Sequence, residues 1–210
     1  MQSINVKGRL SYPALDKMVS MTSPDGKSYE YYGADIIIPK SDTTQLKAIM
    51  DVMKAAVKEA FPNADVGRFI ENAKVKNRII LKDGDAKIAS ASKPEVYEKS
   101  YTNCMYISAK NKITQPLLID RQVRLVSNPK EVFYPGCHVI AKLNILAYEL
   151  ETYKTKGLSC TLTGVQFFKN DERWGSSPKA DHDDFENYGD EEDETTNSTF
   201  ASAELNEMPW

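Results

Sequence analysis

The longest regular alternation in the chain runs from Cys137 to Tyr148. Cys137, Val139, Ala141, Leu143, Ile145 and Ala147 share one face at the two-residue period of a strand, with His138, Ile140, Lys142, Asn144, Leu146 and Tyr148 on the other. Tyr134-Pro135-Gly136 is a turn signal ahead of it, and the polar, Gly-ended stretch 152–157 leads into a second β-rich run at 158–168. The pair predicts a long antiparallel hairpin. At the start of the chain Ile4, Val6, Leu10 and Tyr12 share a face opposite Asn5, Lys7, Arg9 and Ser11, which predicts a half-buried strand with a basic outer side, ended or bent by Pro13. Ser23-Pro24-Asp25-Gly26 is a strong turn signal before the aromatic and β-branched run 29–38, so 4–38 reads as a second hairpin.

Pro39 stops that run, and Asp42 with Gln45 three residues on forms a capping box. Leu46, Ile49, Met50, Met53, Val57 and Ala60 then recur at helical spacing up to Pro62, predicting one amphipathic helix laid on the core. In 72–84, Lys74, Lys76, Arg78 and Lys82 surround Ile79, Ile80 and Leu81, as in a short strand flanked by positive charge. The Gly, Ser, Pro and mixed charge of 83–100 predict a mobile loop, and 101–109 and 117–127 are the remaining strands, the second carrying Arg121 and Arg124. About seven strands with one helix make a mainly β protein. A curved antiparallel sheet with Lys, Asn and Tyr on its wet side is the kind of surface on which OB-folds hold nucleic acid, although the central hairpin alone also fits an ordinary half-buried sheet.

Charge changes this picture more than composition does. The 210 residues hold 27 Lys+Arg and 30 Asp+Glu, but eleven of the acids and a single lysine fall in 177–210. That leaves 26 basic against 19 acidic residues in 1–176, a body of +7 joined to a tail of −10. With few aliphatics, the tail cannot offset an ordering entropy of roughly 1–2 kcal/mol per residue, so disorder is expected from 176 onward. It nevertheless carries Leu205 and Met208-Pro209-Trp210, an apolar cluster on an acidic tether, which reads as a peptide ligand for partner proteins.

The candidate chemistry is not catalytic. No phosphate-binding loop, GxGxxG, GxSxG or HExxH occurs, and with only two histidines no Ser/His/Asp or Cys/His set can be assembled. Cys104, Cys137 and Cys160 lack CxxC spacing and sit in apolar runs, as reduced core residues do; no metal and no cofactor are expected. Acidic pairs such as Asp183-Asp184 lack the rigid frame that Mg²⁺ catalysis needs. No leader and no membrane span is expected, which places the chain in the cytoplasm. Eleven tyrosines beside a basic body supply the two residue types that hold single strands: cations along a phosphate backbone and aromatic faces for unpaired bases.

The runs YPGCHVIAKLNILAY and KGLSCTLTGVQFFKNDERWG, with MYISAK and the Leu118-Ile119-Asp120-Arg121 step before them, resemble the single-stranded DNA-binding proteins of tailed bacteriophages, an OB-fold type. The resemblance spans most of 1–175. The acidic stretch with Met208-Pro209-Trp210 is similar to the tip of bacterial single-stranded DNA-binding proteins, where an apolar-Pro-Phe end docks on replication and repair enzymes; Trp replaces Phe here. The resemblance implies an OB-fold-like antiparallel barrel at 1–175 that binds single-stranded DNA without sequence preference, no enzymatic activity, and a disordered acidic tail at 176–210. It implies a part in phage DNA replication, recombination or repair, with the tail recruiting replication or recombination proteins; the −10 of the tail against the +7 of the body separately predicts that it competes with DNA, and a homodimer is left open. Lys7, Arg9, Lys76, Arg78, Arg121, Arg124 and Lys142 are the expected phosphate contacts, and Tyr29, Tyr31, Tyr106 and Tyr148 the expected stacking residues. Two other functions fit the sequence: a strand-annealing protein, which would pair complementary oligonucleotides on mixing, and a scaffolding or DNA-mimicking protein, which would not shift single-stranded DNA at low salt.

Overall fold

The computed structural model describes residues 1–23, 26–150 and 155–175. In chain order the elements are β1 (Gln2–Thr22), β2 (Ser28–Pro39), α1 (Thr43–Ala60), α2 (Val66–Val75), β3 (Leu81–Asp83), α3 (Gly84–Ala89), α4 (Glu95–Tyr101), β4 (Cys104–Asn111), β5 (Leu117–Ile119), α5 (Pro129–Val132), β6 (His138–Leu150) and β7 (Thr155–Lys169). The seven strands form one sheet in the order β3-β4-β2-β1-β6-β7-β5, and a further parallel pairing of β4 with β7 at Lys110 and Thr161 closes β1, β2, β4, β6 and β7 into a barrel. This is a mainly β, OB-fold-like architecture. The expected tail at 176–210, with Met208, Pro209 and Trp210, lies outside the described residues.

β6 is built as its alternation predicts. Cys137, Val139, Ala141, Leu143 and Ile145 are fully buried and Lys142 and Leu146 face out. Its antiparallel ladder with β7 runs from His138 and Lys169 to Leu150 and Thr155. β1 bridges the two halves of the barrel: Gln2–Arg9 pairs with β6, and Arg9–Thr22 with β2. Of the two expected outcomes, Pro13 bends β1 and does not end it. The β1–β2 register shifts between Ser11 and Ala14, Tyr12 takes a left-handed φ of 46°, and Pro13 sits in the bulge, where its missing N–H breaks no ladder. The bulge also reverses the faces, so Ser11 is buried while Tyr12, expected with the apolar set, is 53% exposed. The β1–β2 turn closes with hydrogen bonds between Ser23 and Lys27 and between Gly26 and Ser23.

α1 packs its apolar stripe, with Ile49, Met53, Ala56 and Val57 buried, against β6 and β1. Asp42 caps it by accepting from the Gln45 N–H at 3.1 Å. Gln45 does not complete the box by reaching back to the cap. Its amide accepts from the Lys7 N–H at 2.8 Å and donates to the Lys7 carbonyl at 2.7 Å, acting as a one-residue strand neighbour beyond the Arg9–Ile37 end of the β1–β2 ladder.

Three expectations fail in the middle of the chain. The stretch 83–100, expected as a mobile loop, carries α3 and most of α4; α2 and α5 likewise add to the single helix predicted. Tyr101, expected to start a strand, ends α4 and is fully buried. The expected strand 117–127 stops after Ile119, because the Asp120 carboxylate accepts the N–H groups of Gln122 and Arg124 and folds the chain into a turn with Val123 at φ 64°. Among the described residues no helix is long and apolar enough to cross a membrane.

Candidate nucleic-acid interface

The outer face of the closed side of the barrel is set by β4. Ile107, Ala109 and Asn111 point inward, so Tyr106, Ser108 and Lys110 point out, alongside Lys82 of β3. A groove of about 520 Å³ opens there, lined by Lys76, Asn77, Arg78, Lys82, Ser108, Lys110 and Tyr148, with Leu158–Cys160 of β7 as its far wall. Gly157 lets that wall close up: a Cβ on it would lie 2.8 Å from the Tyr148 hydroxyl and 2.9 Å from Arg78 Cβ. The Leu158 N–H donates to the Arg78 carbonyl at 2.9 Å, so the Lys76–Arg78 turn is tied directly to β7.

Lys110 links this groove to the protruding β1–β2 hairpin. Its ammonium lies 4.2 Å from the Tyr31 ring centre and 5.8 Å from that of Tyr29, while Lys112 lies 3.8 Å from Tyr29. The two tyrosine rings are tilted neighbours at 5.9 Å. Among the described residues neither Lys82 nor Lys110 makes an ion pair. Burial holds the Lys82 ammonium below the ordinary lysine range; Asp35 opposes this, and the like charges of Lys110 and Lys87 reinforce it. A partly buried cation without an ion-pair partner, Lys82, in one groove with a second, Lys110, that lies against two tyrosine rings, is a site prepared for an anion with flat groups attached.

The sequence-predicted residues therefore separate. Lys76, Arg78 and Tyr148 line one groove, and Tyr29 and Tyr31 join it through Lys110. Tyr106 lies at the other end of the β4 face, 9% exposed and packed edge-on to Tyr101 at 5.2 Å, so its ring is not an open platform. The Arg9 guanidinium is engaged within the protein: it donates to the Gly136 and Glu172 carbonyls at 2.8 and 2.9 Å and stacks 4.1 Å from the Trp174 ring. Arg124 pairs with Asp120 at 2.7 Å, and Arg121 stands exposed in the same turn. Lys7 lies over Phe168, and Lys142 lines a separate cleft with Asn5, Leu117 and Gln166; although Lys142 and Tyr148 share a strand face, they serve different surfaces.

Sequence reasoning missed Lys82, Ser108, Lys110 and Lys112 as site residues. The Tyr106-Ser108-Lys110 alternation was a readable signal, but the closure onto β7 that makes it a groove wall was not. It also missed Asp35, a carboxylate in a buried run, which accepts hydrogen bonds from Tyr101 at 2.6 Å, Lys87 at 2.9 Å and Ser108. Lys87 in turn lies 4.0 Å from the Tyr101 ring centre, 4.6 Å from Tyr106, 5.1 Å from Tyr97 and 5.6 Å from Tyr12. The three thiols are free, and burial pushes Cys137 up to about 11 and Cys160 up to about 12, so both stay protonated at neutral pH. Among the described residues no cluster of His, Cys, Asp or Glu could hold a metal ion.

Fold and surface together define a closed β-barrel with a cationic, tyrosine-lined outer groove. The family model described as Enterobacter phage Enc34, ssDNA-binding protein, matches residues 1–196, and the chain belongs to that family, whose members are binding proteins and not enzymes. Protein p50 of Acyrthosiphon pisum secondary endosymbiont phage 1 is 30% identical over 187 residues, covering 89% of this chain and 93% of that protein. The single-stranded DNA-binding protein from bacteriophage Enc34, solved in complex with ssDNA, has a similar fold at a TM-score of 0.60 and 23% identity, covering 83% of this chain and 90% of that one. The bacteriophage T7 single-stranded DNA-binding protein gp2.5 is similar at a TM-score of 0.52 and 14% identity, covering 96% and 99%.

Proposed function

We propose that this chain binds single-stranded DNA without sequence preference, along the groove from Lys76, Arg78 and Tyr148 past Lys82 and Lys110 to Tyr31 and Tyr29. It acts in phage DNA replication, recombination or repair in the host cytoplasm. The observation that carries this reading is the pair of cations without carboxylate partners, Lys82 and Lys110, in a groove of about 520 Å³ that Tyr148 also lines, with the Lys110 ammonium 4.2 Å from the Tyr31 ring centre. Cations without carboxylate partners suit phosphates, and tyrosine faces stack on any base, which gives affinity without sequence reading. Membership of a family described as ssDNA-binding supports the same reading. Arg9 and Tyr106 serve the frame, and Lys7, Arg121, Arg124 and Lys142 lie off this path. The domain at 1–175 carries the DNA. Residues 176–210 compete with DNA through their charge and recruit replication or recombination proteins through Met208, Pro209 and Trp210.

Titration with poly(dT), followed by Tyr and Trp fluorescence, tests the reading. The logarithm of affinity should fall with the logarithm of salt at about −0.7 per phosphate neutralised, or roughly −3 to −4 for four to six contacts. Lys110→Ala should weaken binding to every sequence and flatten that slope by a little under one unit. Tyr148→Ala should cost about 1–3 kcal/mol of binding at an unchanged slope. A slope near zero, or no binding at low salt, rejects the groove.

A further inference from the structure

A second cavity of about 380 Å³ adjoins the groove, and the two share Asn77, Ile79 and Lys82. We infer that this cavity receives one nucleobase of the bound strand, flipped away from the stacked path, with its phosphate held at Lys82; this rests on the single-strand reading above. The floor is apolar: Ile79 and Leu81 are buried, and Met105 packs against the core. The size falls within the roughly 300–1,000 Å³ of small-molecule sites, which combine an apolar lining with a few converging polar groups.

Those polar groups are present and unused. Tyr106, Asn77, Lys74 and Lys82 line the cavity, and among the described residues no side-chain hydrogen bond or ion pair engages the Tyr106 hydroxyl, the Asn77 amide or either ammonium. Tyr106 is held rigid by its edge-on contact with Tyr101 and by Lys87, whose ammonium is itself fixed by Asp35. Burial pushes the Tyr106 phenol up to about 12, so it remains a hydrogen-bond donor at neutral pH. Asn77 stands on the divide between the two cavities at φ 52°, held by the bond from its N–H to the Lys74 carbonyl at 3.0 Å. An amide that both donates and accepts, next to a phenol donor, can meet the edge of any base, so such a pocket adds affinity without imposing a sequence. Lys82, common to both cavities, is the cation a phosphate would meet as the strand turns from one into the other.

Ala86 is exposed on α3 at the rim, so Ala86→Trp fills the cavity while leaving every cation and the core in place. Affinity is measured for a thymidine oligomer and for a strand of the same length and charge with abasic sugars. Filling the pocket should weaken the thymidine oligomer about tenfold, the scale of one buried base, and leave the abasic strand unchanged. Ser90→Trp, one turn further along the same rim, where the Ser90 N–H donates to the Ala86 carbonyl at 3.1 Å, should repeat the result and decides the matter if Ala86→Trp lowers the melting temperature. Equal affinities of variant and parent for the thymidine oligomer overturn the pocket alone, and so does an equal loss on both strands, since that marks a phosphate and not a base. Failure of the parent protein to bind either strand overturns both the pocket and the single-strand reading.

Discussion

Asp35 is the one charge between Gly33 and Ile38, and it survives burial because three donors reach it: the Tyr101 hydroxyl, the Lys87 ammonium and the Ser108 hydroxyl. The arrangement fixes the protonation of its neighbours. Burial first, and the Asp35 charge second, push the Tyr101 phenol far above its ordinary value and Tyr106 up to about 12. Unfolded tyrosine ionises near pH 10, so above that pH the unfolded chain releases protons that the folded one retains, and stability falls as pH rises. For Tyr106 the window runs from about pH 10 to about 12. Thermal melts between pH 9 and about 12 should show this decline in the parent protein. Tyr106→Phe should make it shallower; a decline of unchanged steepness would mean that Tyr106 ionises as freely as an exposed phenol.

Among the elements, the contact of β4 with β7 shapes the interface, and Asn111 fastens it. Its amide donates to the Leu162 carbonyl of β7 at 3.1 Å, while its carbonyl accepts the N–H groups of Ile113 and Thr114, both at 3.0 Å. Asn111→Ala strands three backbone groups next to Lys110. At about 1–3 kcal/mol for each group left unsatisfied, a lower urea midpoint is expected, together with weaker single-strand binding as the groove wall loosens. An unchanged midpoint would show that water replaces the amide at no loss. This closure is also where the sequence stops being legible. The β6 faces could be read because nothing interrupts the alternation from Cys137 to Ile145, and α1 because eighteen residues repeat one stripe after a cap. Tyr12 was misplaced because a bulge resets the period in the middle of β1. The α3–α4 stretch was missed because helices of six and seven residues are not stable by propensity; they are held by Lys87 among its tyrosines and by the packing of Tyr101. Tyr29, Tyr31, Lys76, Arg78 and Tyr148 were chosen by residue type, but their convergence depends on Lys110 meeting Thr161, a pairing across fifty-one positions that no local period encodes.

At the scale of the whole molecule, charge is distributed to oppose itself: 26 basic and 19 acidic residues in 1–176, against one lysine and eleven acids in 177–210. The groove cations Lys76, Arg78, Lys82 and Lys110 have no carboxylate partner within the described residues, and under the proposed competition the acids of 177–210 take the place of phosphate beside them. Deleting Ser177 to Trp210 should therefore tighten single-strand binding. The gain should be largest at low salt, because screening lengths shrink from about 30 Å at 0.01 M to about 8 Å at 0.15 M. Removing Trp210 alone deletes an aromatic anchor and leaves all eleven acids. Its affinity for DNA should match that of the full chain, while capture of replication or recombination proteins by the Met208-Pro209-Trp210 segment should be lost. The two variants keep charge and anchor apart, so either proposal can fail alone. If the long deletion leaves poly(dT) affinity unchanged at about 50 mM salt, where a competing charge of −10 would be only partly screened, then 177–210 does not compete for the groove and its acids act elsewhere.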